Sequence, residues 1–440
     1  MGINNKLKTV AAAIQSLGFT IVFTASCLSS HQAQALEALS PSYSFHGFGT
    51  LGTVYSDEDQ ADFVSSWLLQ PNGAGHTSEW HAGVDTRFGG QVNAQFNEKF
   101  SAVLQVVVEH QEDNAWAPAL EWANIQYQLT DSFSLRLGRV VAAPFMVSDT
   151  RLVGYANLWI RGPKELYQIV PITNADGLDL VYELNFNSWR NTLQLTYGQT
   201  NQDIIQSGEL RARNSILLSN ALEFGFATFH LAYMSLDLDL DTPDANTLFA
   251  AYNSLGNTLA TIPGQETAAV QASAVSRHYQ LDDTPIEIYS AGLRLDPGNW
   301  LLMAEWARIT EAKALPKTDA WYATLGYRFT SLTPYLTIAE VNGDTLREPG
   351  IATVGMPLRL ATDTELLNQS LNQLLSQPSA AQKSITAGIR WDFSNSAALK
   401  IQYQHIELDS KSAGRLGNVQ PGFMPGGQVN AFSAAIDFVF

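Results

Sequence analysis

The sequence has almost no cysteine, little charge and no long hydrophobic run beyond its first residues. Its one cysteine is Cys27, so a disulfide framework or a cysteine metal site is excluded for the rest of the chain. Charged residues make up 15% of the chain, against about 25% in soluble proteins. Past the N-terminal region no run of about 18 apolar residues occurs, which excludes a membrane-spanning helix. With a mean hydropathy of −0.06, the chain fits neither an ordinary soluble domain nor a helical membrane protein.

The first 35 residues are predicted to be a secretory signal peptide. Lys6 and Lys8 give a positively charged start, residues 10–23 hold an apolar core, and 33–35 read "AQA", an A-x-A cleavage site. Cleavage after Ala35 would leave residues 36–440 as the mature protein. The alternative is that Cys27, in "TASC", is a lipid-modified cysteine, but Thr24 stands where such sites favour leucine.

Apolar and polar residues alternate through most of the remaining chain. In one run, Leu178, Leu180 and Tyr182 alternate with Asp179 and Glu183. A period of two predicts strands with one apolar and one polar face. Sixteen strands are predicted, and a long loop that concealed a hairpin would change the count to fourteen or eighteen. The sixteen lie at 43–55, 83–96, 100–111, 118–129, 132–139, 177–186, 190–200, 210–218, 222–235, 285–295, 300–310, 319–329, 333–341, 383–393, 397–408 and 429–440.

The connections between these strands alternate in length. Short turns such as "NEK" (97–99), "DPGN" (296–299) and "SNS" (394–396) are each followed by a longer segment. A barrel threaded through a membrane gives this asymmetry, with tight periplasmic turns and long external loops. The sequence therefore predicts an all-β fold: a transmembrane antiparallel β-barrel of about 16 strands in the outer membrane of a Gram-negative bacterium.

Aromatic residues strengthen the barrel prediction. Many lie beside the short turns, where they would form a girdle at the lipid–water interface. The last strand ends on Phe440, with Phe438 on the same face. In a closed barrel that face is covered by lipid, so an aromatic C-terminal residue is expected.

Three stretches carry a resemblance to a known family. They are "SFHGFGTLGTVYSD" (44–57), "LRLGR" (135–139) before the third long loop, and the aromatic last strand. Across the mature chain the pattern resembles the general porins of Gram-negative bacteria, more closely the gamma-proteobacterial ones. The resemblance implies a homotrimer of water-filled channels, each narrowed by a third loop folded inward, here at about 140–176. It also implies that Phe440 and Phe438 serve as the signal that the barrel-assembly machinery recognises.

The third loop departs from the enteric porins, in which this loop is acidic. Here the acidic and basic residues of the loop are equal in number, so the electric field that enteric porins have across the constriction is not predicted for this chain. The acidic residues are Asp149, Glu165 and Asp176, and the basic ones are Arg151, Arg161 and Lys164.

Strand parity predicts which charged side chains face the lumen. The basic side chains would face the carboxylates of the third loop, and together they would set a local electric field across a constriction. The alternative is that they pair with carboxylates of the wall and keep the lumen wet. The predicted basic set is Arg87, Arg136, Arg294, Arg328, Arg390 and Lys400.

Two other long loops, 236–284 and 342–382, contain short amphipathic helical patterns. In the second, Thr362 and Glu365 have the spacing of a capping box. Such helices would either cover the channel mouth or pack on each other or a neighbouring subunit. The external loops are also acidic, and Asp237, Asp239 and Asp241 could share divalent ions with lipopolysaccharide or simply be solvated.

Taken together, these patterns predict a porin through which small hydrophilic solutes and ions diffuse passively. The expected partners are a homotrimer, outer-membrane lipid, lipopolysaccharide and the assembly machinery, with no cofactor, metal or nucleic acid. No H-E-x-x-H or G-x-S-x-G motif occurs, so no enzyme activity is expected. The alternatives are a substrate-selective channel narrowed by loops 236–284 and 342–382, and a non-conducting surface adhesin or receptor.

Overall fold

The computed structural model describes residues 41–344, 346–376 and 380–440, and the predicted signal peptide at 1–35 lies outside them. Sixteen strands form one closed antiparallel barrel, which confirms the predicted fold class. The barrel strands are β1 Ser42–Ser56, β2 Arg87–Gln95, β3 Phe100–His110, β4 Trp116–Thr130, β5 Phe133–Val141, β6 Asn174–Phe186, β7 Trp189–Ile204, β8 Gly208–Phe224, β9 Ala227–Asp241, β10 Thr284–Leu295, β11 Trp300–Ile309, β12 Thr318–Tyr327, β13 Leu332–Gly343, β14 Gln382–Ser394, β15 Ala397–Leu408 and β16 Gln428–Val439.

Turns of two to four residues join the strands at one end of the barrel, and the long segments join them at the other end, where two connections are also short. We number the segments at the long-loop end in chain order. They are L1 (57–86), L2 (111–115), L3 (142–173), L4 (205–207), L5 (242–283), L6 (310–317), L7 (344–381) and L8 (409–427).

The barrel closes between its first and last strands. β1 pairs with β2 on one side and with β16 on the other, with Phe48 opposite Val439. The backbone N–H of Phe440 donates to Gly47 O at 2.9 Å, and Gly47 N–H donates to Phe440 O at 2.8 Å. A Cβ at Gly47 would lie 2.1 Å from the Phe440 ring, so only glycine lets that ring lie against the strand. Phe440 is therefore paired, and the described strands β1 and β16 leave no open edge where the barrel closes.

One strand boundary differs clearly from the prediction. The sequence suggested strands at 210–218 and 222–235, but β8 and β9 meet in a turn at Gly225 and Phe226. Gly225 has a φ of +57°, a conformation that glycine adopts at little cost. The polar Asn220 continues the strand instead: it lies on the outward face opposite Leu193 of β7, and its amide bonds that of Asn191 on the same strand at 3.0 and 3.1 Å. The run at 236–241, predicted as loop, is therefore part of β9.

Aromatic side chains lie on the outer surface beside the short turns. Phe100 and Tyr127 have ring centroids 4.6 Å apart, and Trp300 and Tyr327 have centroids 4.7 Å apart. Phe100 and Trp300 are 45% and 50% exposed. Amphipathic rings at this level suit a lipid–water interface.

Four α-helices of the described residues interrupt the long segments: α1 Lys164–Tyr167 in L3, α2 Pro243–Leu259 and α3 Glu266–Tyr279 in L5, and α4 Leu358–Ser376 in L7. α2 follows Thr242, whose Oγ1 accepts a hydrogen bond from Ala245 N–H at 3.4 Å. α4 begins earlier than the predicted capping box, and Thr362 donates to Leu358 O inside the helix. None of the helices in the described ranges is both long and apolar enough to cross a membrane.

Helices α2, α3 and α4 pack on one another in a helical cap with its own apolar core. Phe249, Tyr252, Leu371 and Leu375 are buried in that core. The hydroxyl of Tyr252 donates to Asn368 Oδ1 at 3.2 Å and ties α2 to α4. The helices therefore satisfy their apolar faces mainly against each other, one of the alternatives the sequence left open.

Candidate functional site

The barrel lumen has two chemically different halves. On β8 to β13 many lumen-facing side chains are apolar and buried, and they pack against apolar side chains of L3. Each large side chain buried in this way stabilises the packing by about 1.5–3 kcal/mol. L3 is therefore sealed to this half of the wall by a core like that of a soluble protein. The wall contributes Leu217, Met234, Ile286, Ile288, Leu301 and Met303, and L3 contributes Phe145, Leu158, Trp159, Leu166 and Ile169.

Buried hydrogen bonds fix L3 against this apolar half. Trp159 Nε1–H donates to Thr324 Oγ1 at 3.2 Å and to Thr337 Oγ1 at 3.1 Å. Glu305, 3% exposed, accepts from Met146 N–H at 2.8 Å and from the hydroxyl of Tyr167 at 2.9 Å. Burial and the nearby Glu305 raise the pKa of Tyr167 well above its ordinary value. Because buried polar groups are costly when unpaired, these contacts specify one position for the loop.

Two basic wall residues bind the L3 backbone. Arg390 donates from Nη1 to Tyr155 O at 2.7 Å and to Asn157 O at 2.8 Å. Lys400 donates from Nζ to Gly154 O at 2.7 Å and to Trp159 O at 2.8 Å. They thereby satisfy four carbonyl groups of one tight segment.

Lys400 is itself held in a buried ion pair. Its Nζ lies 2.8 Å from Asp437 Oδ2, and both side chains have zero exposure. The hydroxyl of Thr50 donates to the other carboxylate oxygen of Asp437 at 2.5 Å. Thr50, Lys400 and Asp437, from strands β1, β15 and β16, thus form one buried cluster that holds L3 at Gly154.

L3 reaches the short-turn end of the barrel. The hydroxyl of Tyr155 donates to Asn395 O, in the turn between β14 and β15, at 2.9 Å. Since L3 starts and ends at the long-loop end, it crosses most of the lumen's depth and returns.

Replacing Gly154 with alanine should displace the part of L3 that lies nearest the short turns. A Cβ there would lie 2.1 Å from Asp437 Oδ1 and 2.6 Å from Thr50 Oγ1, and both atoms are held in buried bonds. We expect Gly154→Ala to lower the melting temperature and to raise single-channel conductance. Gly90→Ala is the control, because a Cβ at Gly90 meets nothing within 4 Å. Equal behaviour of the two variants would contradict the tight fit at Gly154.

The other half of the lumen, on β2 to β7, is polar and partly exposed. Amide side chains form ladders there: Gln105 donates to Gln91 at 2.8 Å, and Gln91 donates to Asn93 at 2.9 Å. Nearer the short turns, Arg136 pairs with Asp179 at 2.5 Å. Partly exposed side chains of this face are Gln91, Asn93, Asn124, Gln126, Gln128, Arg136 and Gln194. Such groups stay in contact with water, so this half of the lumen is hydrated.

A cavity of about 120 Å³ lies between L1, L3 and the wall near the long-loop end. Three ion pairs surround it: Arg87 with Glu109 at 3.7 Å, Arg151 with Glu121 at 3.5 Å, and Arg161 with Asp85. Arg161 Nε donates to Asp85 Oδ1 at 2.8 Å, and its Nη2 donates to Ser433 Oγ at 2.9 Å.

L1 and L8 cover α1 from the long-loop side. Phe63 of L1 lies under two cations, with Lys164 Nζ 3.7 Å and Arg161 Cζ 4.9 Å from its ring centroid. Glu165 is fully buried and accepts from Gln382 Nε2 at 2.6 Å. Gln382 in turn accepts from the backbone N–H of Arg415, in L8, at 2.7 Å. Burial lowers the pKa of Arg415 to about 10.

The structure does not bring the predicted basic wall residues and the three L3 carboxylates together. Each basic residue instead has a carboxylate partner on the wall or in a short turn, and Arg390 and Lys400 also bind L3 carbonyls. The pairs are Arg87–Glu109, Arg136–Asp179, Arg294–Asp296, Arg328–Asp296, Arg390–Asp392 and Lys400–Asp437.

The three predicted L3 carboxylates lie in different surroundings. Glu165 is buried against Gln382. Asp149 is exposed at the surface of L3, and partial desolvation of its carboxyl group raises its pKa. Asp176 lies at the start of β6 on the outward face that carries Leu178, and it pairs with Arg139 at 2.7 Å. A short extension of β6 beyond its predicted start thus turns Asp176 away from the lumen.

Sequence reasoning missed Glu305 and Phe63 as key residues. Glu305 was detectable: it is the one carboxylate in "LLMAEWARI", and the other lumen-facing residues of this strand, Leu301, Met303 and Ala307, are apolar. Phe63 gave no signal, because its partners come from L3.

Comparisons with solved structures find outer-membrane barrels. OmpF of Salmonella typhi, solved in complex with daunomycin, is 13% identical with a TM-score of 0.50, covering 90% of this chain and 97% of its own. OmpT of Vibrio cholerae is 13% identical with a TM-score of 0.49, covering 92% of this chain and 99% of its own. An in-vitro folded trimer form of Vibrio cholerae OmpT is 12% identical with a TM-score of 0.49, covering 91% of this chain and 100% of its own. No protein-family model and no curated protein matches the chain. At these identities the likeness to OmpF concerns the fold alone.

Proposed function

We propose that the protein is an outer-membrane channel of the porin type, through which small hydrophilic solutes and ions diffuse passively. The observation that carries the proposal is the hydrated polar half of the lumen, on β2 to β7, beside a half that L3 seals. A barrel built only as a scaffold would not need partly exposed amide and charged side chains along one inner wall. The solute path therefore runs between L3 and the polar wall and is narrower than the barrel itself.

The remaining features of this proposal follow from the resemblance to general porins. We propose a homotrimer in the outer membrane of a Gram-negative bacterium, exported by the signal peptide at 1–35. Phe440 and Phe438 would be read by the barrel-assembly machinery, and lipid would cover the outer face. Asp237 and Asp239 are engaged by Asn214 and Arg213 at 2.8 and 3.0 Å, so contact with lipopolysaccharide would have to compete with those bonds. No catalytic role is part of the proposal.

Current through planar bilayers tests the channel directly. Purified, unheated protein should give discrete conductance steps, which close in threes if the assembly is a trimer. A KCl gradient then gives the ion selectivity from the reversal potential. If folded protein, verified by its heat-dependent gel shift, carries no current, the channel proposal fails.

A substrate-selective channel narrowed by the helical loops is the second candidate. It is favoured because the helices lie at the long-loop end. The helical cap, however, has an apolar core separate from that of L3, and only Leu240 and Leu315 among the described residues contact both cores. Replacing 243–282 and 346–380 with short linkers removes the cap and leaves β9, β10, β13 and β14 intact. Under the porin proposal conductance changes less than about twofold, because the narrow segment lies at L3. A large rise would transfer the selectivity to the cap, whereas lost cell binding with unchanged current would indicate an adhesin.

A further inference from the structure

We propose that the cavity between L1, L3 and the wall binds a small oxyanion through Lys164 Nζ and Arg161 Nη1. The ligand class is a carboxylate or a sulfate-like tetrahedral anion. The inference deepens the proposed channel by giving it a solute class, but binding itself does not require conduction.

Two buried donors without partners carry this inference. Among the described residues, Lys164 Nζ and Arg161 Nη1 are buried donors without a hydrogen-bond partner, and Gln168 Oε1, of another residue on the cavity, is a buried acceptor without one. Lys164 is 2% exposed, and both Lys164 and Arg161 line the cavity of about 120 Å³. Buried donors of this kind are nearly always paired with protein, water or a ligand. A cavity of that size holds several water molecules or one small anion.

Around the cavity and α1, the cationic side chains outnumber the carboxylates by one. Arg87, Arg151 and Arg161 have carboxylate partners in Glu109, Glu121 and Asp85. On the other side of α1, the charge of Glu165 acts on Arg415. Among the described residues Lys164 forms no ion pair with a carboxylate, and its Nζ lies over the face of the Phe63 ring, which attracts a cation but accepts no conventional hydrogen bond. A bound anion would balance the surplus charge and accept the free N–H groups.

The surroundings of Lys164 also predict how binding depends on pH. Burial and the neighbouring Arg161 lower the pKa of Lys164 to about 7, while Glu165 and Asp85 act in the opposite direction and Arg415 adds to the lowering. Lys164 is therefore charged below pH 7 and increasingly neutral above it. An anion that needs the ammonium form binds more weakly by about tenfold for each unit above pH 7.

Calorimetric titration of the detergent-folded barrel tests the proposal. Sodium sulfate and sodium acetate are the probes, because both keep their charge between pH 6 and pH 9. We expect saturable binding at pH 6 that weakens as the pH rises through 7. Stronger binding of sulfate would assign the site to tetrahedral anions, and stronger binding of acetate would assign it to carboxylates. No saturable binding of either probe would overturn the proposal, even if the channel conducts.

Three variants assign the effect to Lys164. Lys164→Met should weaken binding roughly tenfold or more, the loss of a hydrogen bond to a charged group, yet raise the melting temperature because a buried unpaired cation is removed. Lys164→Arg should bind and lose the pH dependence, since guanidinium stays charged. Lys411→Met, at an exposed position in L8, should change neither property. Unaltered binding by Lys164→Met would place the anion elsewhere and contradict the proposal.

Discussion

Excising most of L3 should raise single-channel conductance roughly fivefold, because a 16-stranded barrel without a packed interior leaves a wide aqueous channel. The excision is feasible at the hairpin: Ala142 N–H donates to Thr173 O at 3.0 Å, so the two ends of the loop are adjacent. Replacing 144–171 with a four-residue Gly/Ser turn would keep β5 and β6 paired. Planar-bilayer recording of the refolded variant gives the measurement.

The same excision should lower stability, because it exposes the apolar wall to water. Met234, Ile288 and Met303 would lose their cover, and each buried side chain of this size contributes about 1.5–3 kcal/mol. Removal of the helical cap provides the control, since its core is separate and conductance should stay nearly constant. An L3-excised barrel that folds and conducts like the parent protein would mean that L3 does not limit the channel.

Replacing Lys400 with methionine should destabilise the barrel by about 3–5 kcal/mol, the usual cost of breaking a buried ion pair. The change leaves the Asp437 charge buried, with the Thr50 hydroxyl as its remaining donor in the described contacts. It also removes the donor to Gly154 O and Trp159 O. The expected result is a lower urea midpoint of unfolding and a noisier, larger channel current as L3 loosens.

Two comparisons separate the ion pair from the lysine side chain alone. Lys400→Met combined with Asp437→Asn should recover part of the lost stability, because no unpaired charge remains. Lys383→Met removes an exposed lysine of β14 that pairs with Glu340 at 3.4 Å, and should cost less than about 1 kcal/mol. If both single lysine variants lose the same stability, the buried pair does not have the role assigned to it.

The fold was largely predictable from the sequence because the pattern that specifies strands is local. Alternation and turn length located all sixteen strands. The misplaced turn near 219–221 shows the limit: "SNA" has turn-like composition, but Asn220 finds an amide partner, Asn191, on the neighbouring strand β7. Such a partner lies on another strand, so a local pattern does not reveal it.

The apolar half of the lumen could have been recognised from the sequence, although strand parity alone does not reveal it. On β8 to β11 many residues at lumen positions, including Leu217, Met234 and Ile288, are apolar, and so are many of their outward-facing neighbours. A strand apolar on both faces inside a barrel needs cover from within. The excess of apolar residues in L3, among them Trp159 and Leu166, is the complement to that need.

The charged site was the least predictable part. Parity gave the direction of Arg390 and Lys400, but their partners are backbone carbonyls of L3, which carry no sequence signature. Likewise, Lys164 is distinguished from Lys411 only by the three-dimensional contacts of L1 and L8 around it. Charges counted along L3 therefore balanced, whereas charges counted around the cavity leave one cation unmatched.

Cysteine accessibility across the lumen tests the central claim that L3 seals one half of the barrel and leaves the other half wet. Gln126→Cys on β4 and Met303→Cys on β11, each in a Cys27→Ser background, face the lumen a few residues from the short turns. Reaction of each folded variant with a small charged methanethiosulfonate would be followed by mass spectrometry. We predict rapid modification at position 126 and protection at position 303, which is 3% exposed. Equal rates at the two positions would contradict the claim.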